Sequence, residues 1–248
     1  MEWEAPAIVL DARPYGEGDA VATVLTTAHG AHRGLARGAQ SRARAAMWQA
    51  GNLIEARWVA RLADQLGSLT GELVHASAAL AMADPLHLAV LSAACAVAAG
   101  ALPEREPHPR VFDALLHLIA HLPAAGDLPA AYVRWEMLLL GDLGYGLDLS
   151  ACAVSGATQG LAFVSPRTGR AVAEAAAGVW RERLLPLPAF LLGGGAGGDA
   201  PAWRDGMRLT GHFLARDAFG QQHRPLPQAR AMLYDRVEKL ASEKPDGG

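Results

Sequence analysis

Six arginines, Arg33, Arg37, Arg42, Arg44, Arg57 and Arg61, fall between residues 31 and 61 with Glu55 as the sole acid among them, in a chain of 248 residues whose formal charge is −3. Guanidinium groups suit phosphate, because each combines a fixed charge with a planar fork of donors. Since the remainder of the chain is acidic, this cationic surface is segregated, which is the electrostatic footprint of a face that binds polyanions such as nucleic acid. Trp48 and Trp58 are interleaved with the arginines, and indoles beside cations are stacking surfaces for bases. Trp58 alternates with its neighbours and suits a core position; Trp48, in the connection between strands, is the better exposed of the two.

Other residues carry weaker signals. His117 and His121 share an i, i+4 helical face that can hold a metal, yet no third ligand lies nearby. A helical catalytic domain built on that pair is the rival reading. The glycine run at 193–198 is followed by Asp199-Ala-Pro-Ala, without the Lys-Ser/Thr pair of a phosphate loop, and reads as a connector. Ser155 and Ser165 lie outside any Gly-x-Ser-x-Gly turn. The expectation is a protein that is not an enzyme. Cys152-Ala-Val-Ser155 has the look of half a zinc knuckle, but the positions for a second pair, 173 and 176, are alanines, so neither metal nor other cofactor is expected. With only Cys95 and Cys152 there is no disulfide framework, and a reducing cytoplasm is expected.

The elements that position these groups change character along the chain. Residues 7–13 (AIVLDAR), 20–27, 31–36, 52–60 and 69–75 read as short strands separated by turn residues. Five strands in such a length suit the oligonucleotide-binding (OB) barrel. From residue 77 the period becomes helical, with helices over 77–101 broken at Asp84-Pro85, over 109–121, 129–143, 202–219 and 227–241, several opened by proline. The expected class is therefore α+β: a barrel over residues 1–76 and a mainly helical domain over 77–248, with an irregular, degenerate zinc-finger-like insertion around 148–176. Residues 88–102, the longest apolar candidate, are too few to span a bilayer, and Glu2 and Glu4 replace the basic leader of a signal peptide.

Taken in order, residues 7–20 (AIVLDARPYGEGDA), 29–38 (HGAHRGLARG), 143–156 (LGYGLDLSACAVSG), 163–172 (FVSPRTGRAV) and 184–190 (LLPLPAF) resemble the RecO family of bacterial DNA-repair mediators in its alphaproteobacterial form. The resemblance spans nearly the whole chain. It implies an amino-terminal OB barrel and a helical domain, binding of single- and double-stranded DNA, and annealing of complementary strands. It also implies recombinase loading onto strands coated by single-strand-binding protein, with RecR and the acidic C-terminal tail of the coating protein as partners. Such a tail needs a cation beside an apolar surface, and Arg134, Trp135 and Leu138 on one expected helix offer that combination; packing of the same helix into the core is the alternative reading. Many members carry a four-cysteine zinc site, of which this chain keeps only Cys152. An RNA-binding accessory role stays open, because barrels of this kind do not declare their sugar preference in sequence.

Overall fold

Alternation of small apolar and polar residues drives the first 75 residues into five strands. In the computed structural model, which describes residues 1–62, 65–122, 126–193 and 197–243, these are β1 (Glu2–Tyr15), β2 (Asp19–Thr26), β3 (Gly30–Ala36), β4 (Leu53–Val59) and β5 (Ser68–His75). They close into a barrel in the order β1-β2-β3-β5-β4, with β3 meeting β5 in parallel at Leu35 and Ser68. The result is the expected OB barrel. β1 is longer than the apolar run suggested because it serves two neighbours: Glu2 to Ile8 pair with β4, and Ala7 to Tyr15 with β2. A bulge between Val9 and Asp11 bends the strand between these duties.

The barrel interior mixes very small and very large side chains. Alanines such as Ala20, Ala22 and Ala56 leave space that the indoles of Trp48 and Trp58 fill. A buried indole removes about 150–250 Å² from water, at most roughly 4–6 kcal/mol each at about 25 cal/mol per Å². Trp58 also donates from Nε1 to the carbonyls of Leu66 at 2.9 Å and Arg33 at 3.2 Å, so its polar edge is satisfied. Gly67 is obligatory beneath it: its φ is +68°, and a Cβ there would lie 2.5 Å from the indole.

After β5 the described elements are mainly helical. The helices are α1 (Ser77–Ala81), α2 (Pro85–Ala101), α3 (Pro109–Ala120), α4 (Leu128–Asp142), α5 (Ala200–Phe213) and α6 (Gln228–Ser242). Their starts follow local chemistry. Asp84 accepts from Leu86 N–H at 2.6 Å, and Asp199 from Ala202 N–H at 3.0 Å, each ahead of a proline in the first turn. Contacts divide the chain into two compact units, Met1–Ala124 and Ala125–Gly248, so α1 to α3 pack with the barrel. No helix among the described residues is long and apolar enough to cross a membrane.

In the second unit α4, α5 and α6 meet around a buried ion pair. Arg230 (4 % exposed) grips Glu136 (0 %) through Nε–Oε1 at 2.7 Å and Nη2–Oε2 at 2.9 Å. Tyr132 donates its hydroxyl to Oε1 at 2.6 Å, Thr210 donates to Oε2, and Arg230 also reaches the Met207 carbonyl at 2.8 Å. Residues 161–173, expected to be irregular, contribute β6 (Leu161–Val164) and β7 (Ala171–Ala173) to a small sheet completed by β8 (Leu185–Pro186), in the order β7-β6-β8. Of the glycine-rich connector at 193–198, residues 194–196 lie outside the described residues. Removing one partner of the buried pair strands the other. Arg230→Met is expected to destabilise the second unit by about 3–5 kcal/mol, and Glu136→Leu combined with it to recover much of that loss, both read from urea unfolding of the full chain.

Candidate nucleic-acid interface

The connection from β3 to β4 carries Arg37, Arg42, Arg44 and Trp48, and its sequence of Gly, Gln, Ser and Ala has no strand or helix period. It is nevertheless tied down along its length. Gly38 N–H donates to Asp19 at 2.7 Å, and Gln40 N–H to the Gly18 carbonyl at 3.0 Å. Ala39 and Trp48 are inserted into the barrel core. Asn52, 1 % exposed, closes the connection: its Nδ2 donates to the carbonyls of Ala46 at 2.8 Å and Met47 at 3.2 Å, while its Oδ1 accepts from Ala78 N–H at 3.0 Å. One amide side chain thus fastens both the basic connection and the first turn of α1.

With the backbone anchored, Arg37, Arg42 and Arg44 are exposed. Arg44 Nη1 donates to the Arg37 carbonyl at 3.1 Å, which keeps these two arginines together. They border a groove of about 330 Å³ whose other walls include Met47, Trp48, Thr70 and Leu73. The six arginines are not equivalent. Arg33 is ion-paired with Glu104, and Arg57 donates to Glu2 at 2.6 Å. Among the described residues Arg37, Arg42, Arg44 and Arg61 have no carboxylate partner.

Trp48 differs from its expected exposed position. It is 5 % exposed, against 2 % for Trp58, because the barrel needs its ring as filler. It borders the groove, but so little of it is exposed that no open face is left for stacking. Arg105 was not foreseen. It follows α2, holds Ala31 by a backbone hydrogen bond at 2.8 Å, and stands with its guanidinium 5.9 Å from the centre of Trp58. Its place in the sequence, far from the six barrel arginines and flanked by Glu104 and Glu106, gave no signal.

At the same end of the barrel His32 is 6 % exposed, edge-on to Trp3 at 5.2 Å and Trp58 at 4.6 Å. Neither ring nitrogen has a hydrogen-bond partner among the described residues. Burial, reinforced by the Arg105 charge, holds its pKa below the ordinary 6.5. The folded chain therefore keeps His32 neutral where the unfolded chain takes up a proton.

The residues expected to meet a partner are placed differently. Trp135 is 3 % exposed and packs beside Tyr132 at 5.9 Å, so it joins the core of the second unit rather than its surface. Arg134 is half-exposed, lies 5.3 Å from the centre of the Phe190 ring and is 3.7 Å from Asp127; Leu138 is half-buried. His117 and His121 are exposed with ring centres 4.0 Å apart, and His121 Nδ1 donates to the His117 carbonyl at 2.8 Å. No cluster of three metal-ligating side chains occurs among the described residues. The Cys152 sulfur accepts from Ala173 N–H at 3.2 Å and Ser155 N–H at 3.5 Å, contacts that draw the thiol down to about 6. One thiolate with Ser155 and two alanines is not a donor set for structural zinc.

Two outcomes test this geometry. Asn52→Ala leaves two carbonyls and an N–H without their partner, and is expected to cost about 1–3 kcal/mol and to loosen residues 37–52 in hydrogen exchange. His32 contributes stability fully above pH 6.5 and progressively less as pH falls through that value toward its lower folded pKa. Melts at pH 7.5 and 5.5 should therefore show a larger drop for the native chain than for His32→Phe.

A family model described as Recombination protein O N terminal matches residues 1–77, and one described as Recombination protein O C terminal matches residues 82–225. Over 245 residues the chain is 60 % identical to the DNA repair protein RecO of Gluconacetobacter diazotrophicus, covering 97 % of this chain and 96 % of that protein. It is 62 % identical over 242 residues to the DNA repair protein RecO of Acidiphilium cryptum, covering 96 % of each. The protein of that name from Rhodospirillum centenum is 51 % identical over 241 residues, again 96 % of each. With both family models matched in order along one chain, and relatives of this likeness running its length, the protein belongs to the recombination protein O family.

Proposed function

We propose that this chain is a DNA repair and recombination mediator that binds single- and double-stranded DNA through the arginine face of its barrel and anneals complementary strands. With RecR it assists loading of recombinase onto strands coated by single-strand-binding protein, whose C-terminal tail it contacts near Arg134 and Leu138. It acts in the bacterial cytoplasm, and its part is mechanical rather than catalytic. The observation that carries this reading is the anchored connection bearing Arg37, Arg42 and Arg44, which have no carboxylate partner among the described residues.

The physics of annealing suits that surface. Arginine neutralises phosphates and releases counterions, which gives affinity without sequence preference. Two strands held this way repel each other less. Their base edges stay free, because Trp48 and Trp58 are committed to the core and cannot trap them. Arg61 extends the cationic surface, while Arg33 and Arg57 must exchange Glu104 and Glu2 for phosphate and so contribute less.

Changing Arg37, Arg42 and Arg44 together to Ala is expected to weaken duplex binding and to flatten the slope of log K against log salt by up to about 2.7, since each phosphate contact contributes about 0.9. Melting should be unchanged and strand annealing slowed. An unaltered salt slope would remove these residues from the interface. Equal or tighter binding of a matched RNA strand would favour the RNA-binding alternative.

A further inference from the structure

The small sheet of the second unit carries an unusual surface. After β7 the chain passes through two 3-10 turns, Glu174–Ala176 and Gly178–Arg183. The second opens at Gly178 with φ +48° and presents Val179 at 89 % and Trp180 at 58 % exposure. The chain has six tryptophans, all within the described residues, and the other five are buried or half-buried. Leaving an indole in water forgoes the burial that stabilises the rest of the molecule, so the turn must hold it there.

Two arginines do so. Arg181 is ion-paired with Glu174 and lies 5.2 Å from the centre of the Phe163 ring, which fixes the turn to β6. Arg183 lies 5.4 Å from the centre of Trp180 and has no carboxylate partner among the described residues. A guanidinium therefore covers one side of the indole, and the exposure of Trp180 places the rest of the ring in solvent. One indole and one valine are far less than the ~800 Å² per partner that a stable protein interface buries. They match the size of a single unstacked base, and base-on-aromatic stacking beside arginine is the chemistry of single-strand platforms.

We propose that Trp180 and Arg183 form a second nucleic-acid contact, on the carboxy-terminal unit: the indole stacks an unpaired base and Arg183 meets a neighbouring phosphate. The proposal rests on the DNA-binding reading and adds to it the base contact that the barrel face lacks. The barrel arginines hold backbones of either form, whereas Trp180 selects single strands, because a duplex keeps its bases stacked on each other.

The test measures binding of the full chain to oligo(dT) and to a duplex hairpin of equal phosphate number, for the native protein, Trp180→Ala, Trp180→Phe and Arg183→Ala. Stacking of one base is worth about 1–3 kcal/mol, so Trp180→Ala should weaken oligo(dT) binding roughly 5- to 150-fold while changing duplex binding less than about twofold. Trp180→Phe should restore most of the loss. Arg183→Ala should reduce the oligo(dT) salt slope by about 0.7. Iodouracil-substituted strands should cross-link to residues 178–183. Native oligo(dT) affinity in Trp180→Ala would overturn the proposal and assign the exposed indole to a protein partner, and equal weakening of both DNA forms would overturn it as well. No binding of either form by the native chain would instead overturn the DNA-binding reading on which it rests.

Discussion

The amino-terminal unit depends on a volume constraint. A five-stranded barrel lined by alanines is too empty to be stable, and two indoles make up the deficit. Trp58 comes from a strand, where inward orientation is ordinary. Trp48 comes from the connection between β3 and β4, and drawing it inward drags the intervening chain against the barrel wall. Asp19 and Asn52 then only have to secure a segment already brought close. The arginines of that segment have a fixed base because a hydrophobic residue among them was needed elsewhere. The same demand removes Trp48 as a stacking platform, so filling the core and anchoring the arginine-bearing segment are two consequences of one packing requirement.

The two units use opposite means to hold together. The barrel relies on apolar volume, while α4, α5 and α6 converge on a carboxylate that receives a bidentate arginine and two hydroxyls. Such a network adds little net stability over a well-packed apolar core. It constrains register instead: Glu136, Thr210 and Arg230 must come to the same point, and the three helices can satisfy them in one arrangement. Gly211 is part of that constraint, since a Cβ there would stand 2.8 Å from Arg230 Nη1.

The fold was largely legible because its signals are local. The Asp84-Pro85 step and prolines in first turns marked the helices, and turn residues marked the strands. β1 was read short because Glu2 and Glu4 lie on its exposed half, where alternation with apolar residues is diluted. β6 to β8 were missed because strands of two to four residues hold too few positions to show a period. At the interface the charge excess located the arginines, but Glu104 and Glu2, which occupy two of them, lie far away in sequence. The burial of Trp48 and the role of Asn52 depend on closure of the barrel, which no local pattern records.

The division of β1 between two neighbours also sets an order of events. Its second half can pair with β2 as soon as a short turn has formed, but its first half finds β4 only across some fifty residues. During synthesis the opening residues therefore wait, as an unpaired strand edge, until the arginine-bearing connection and β4 have both emerged. Glu2 and Glu4 lie on this waiting segment. Their charges keep a nascent edge from recruiting other chains, and in the finished barrel Glu2 takes up Arg57. The carboxylate that ends as a partner of Arg57 thus begins, on the ribosome, as charge that keeps the opening strand from pairing elsewhere while the barrel closes.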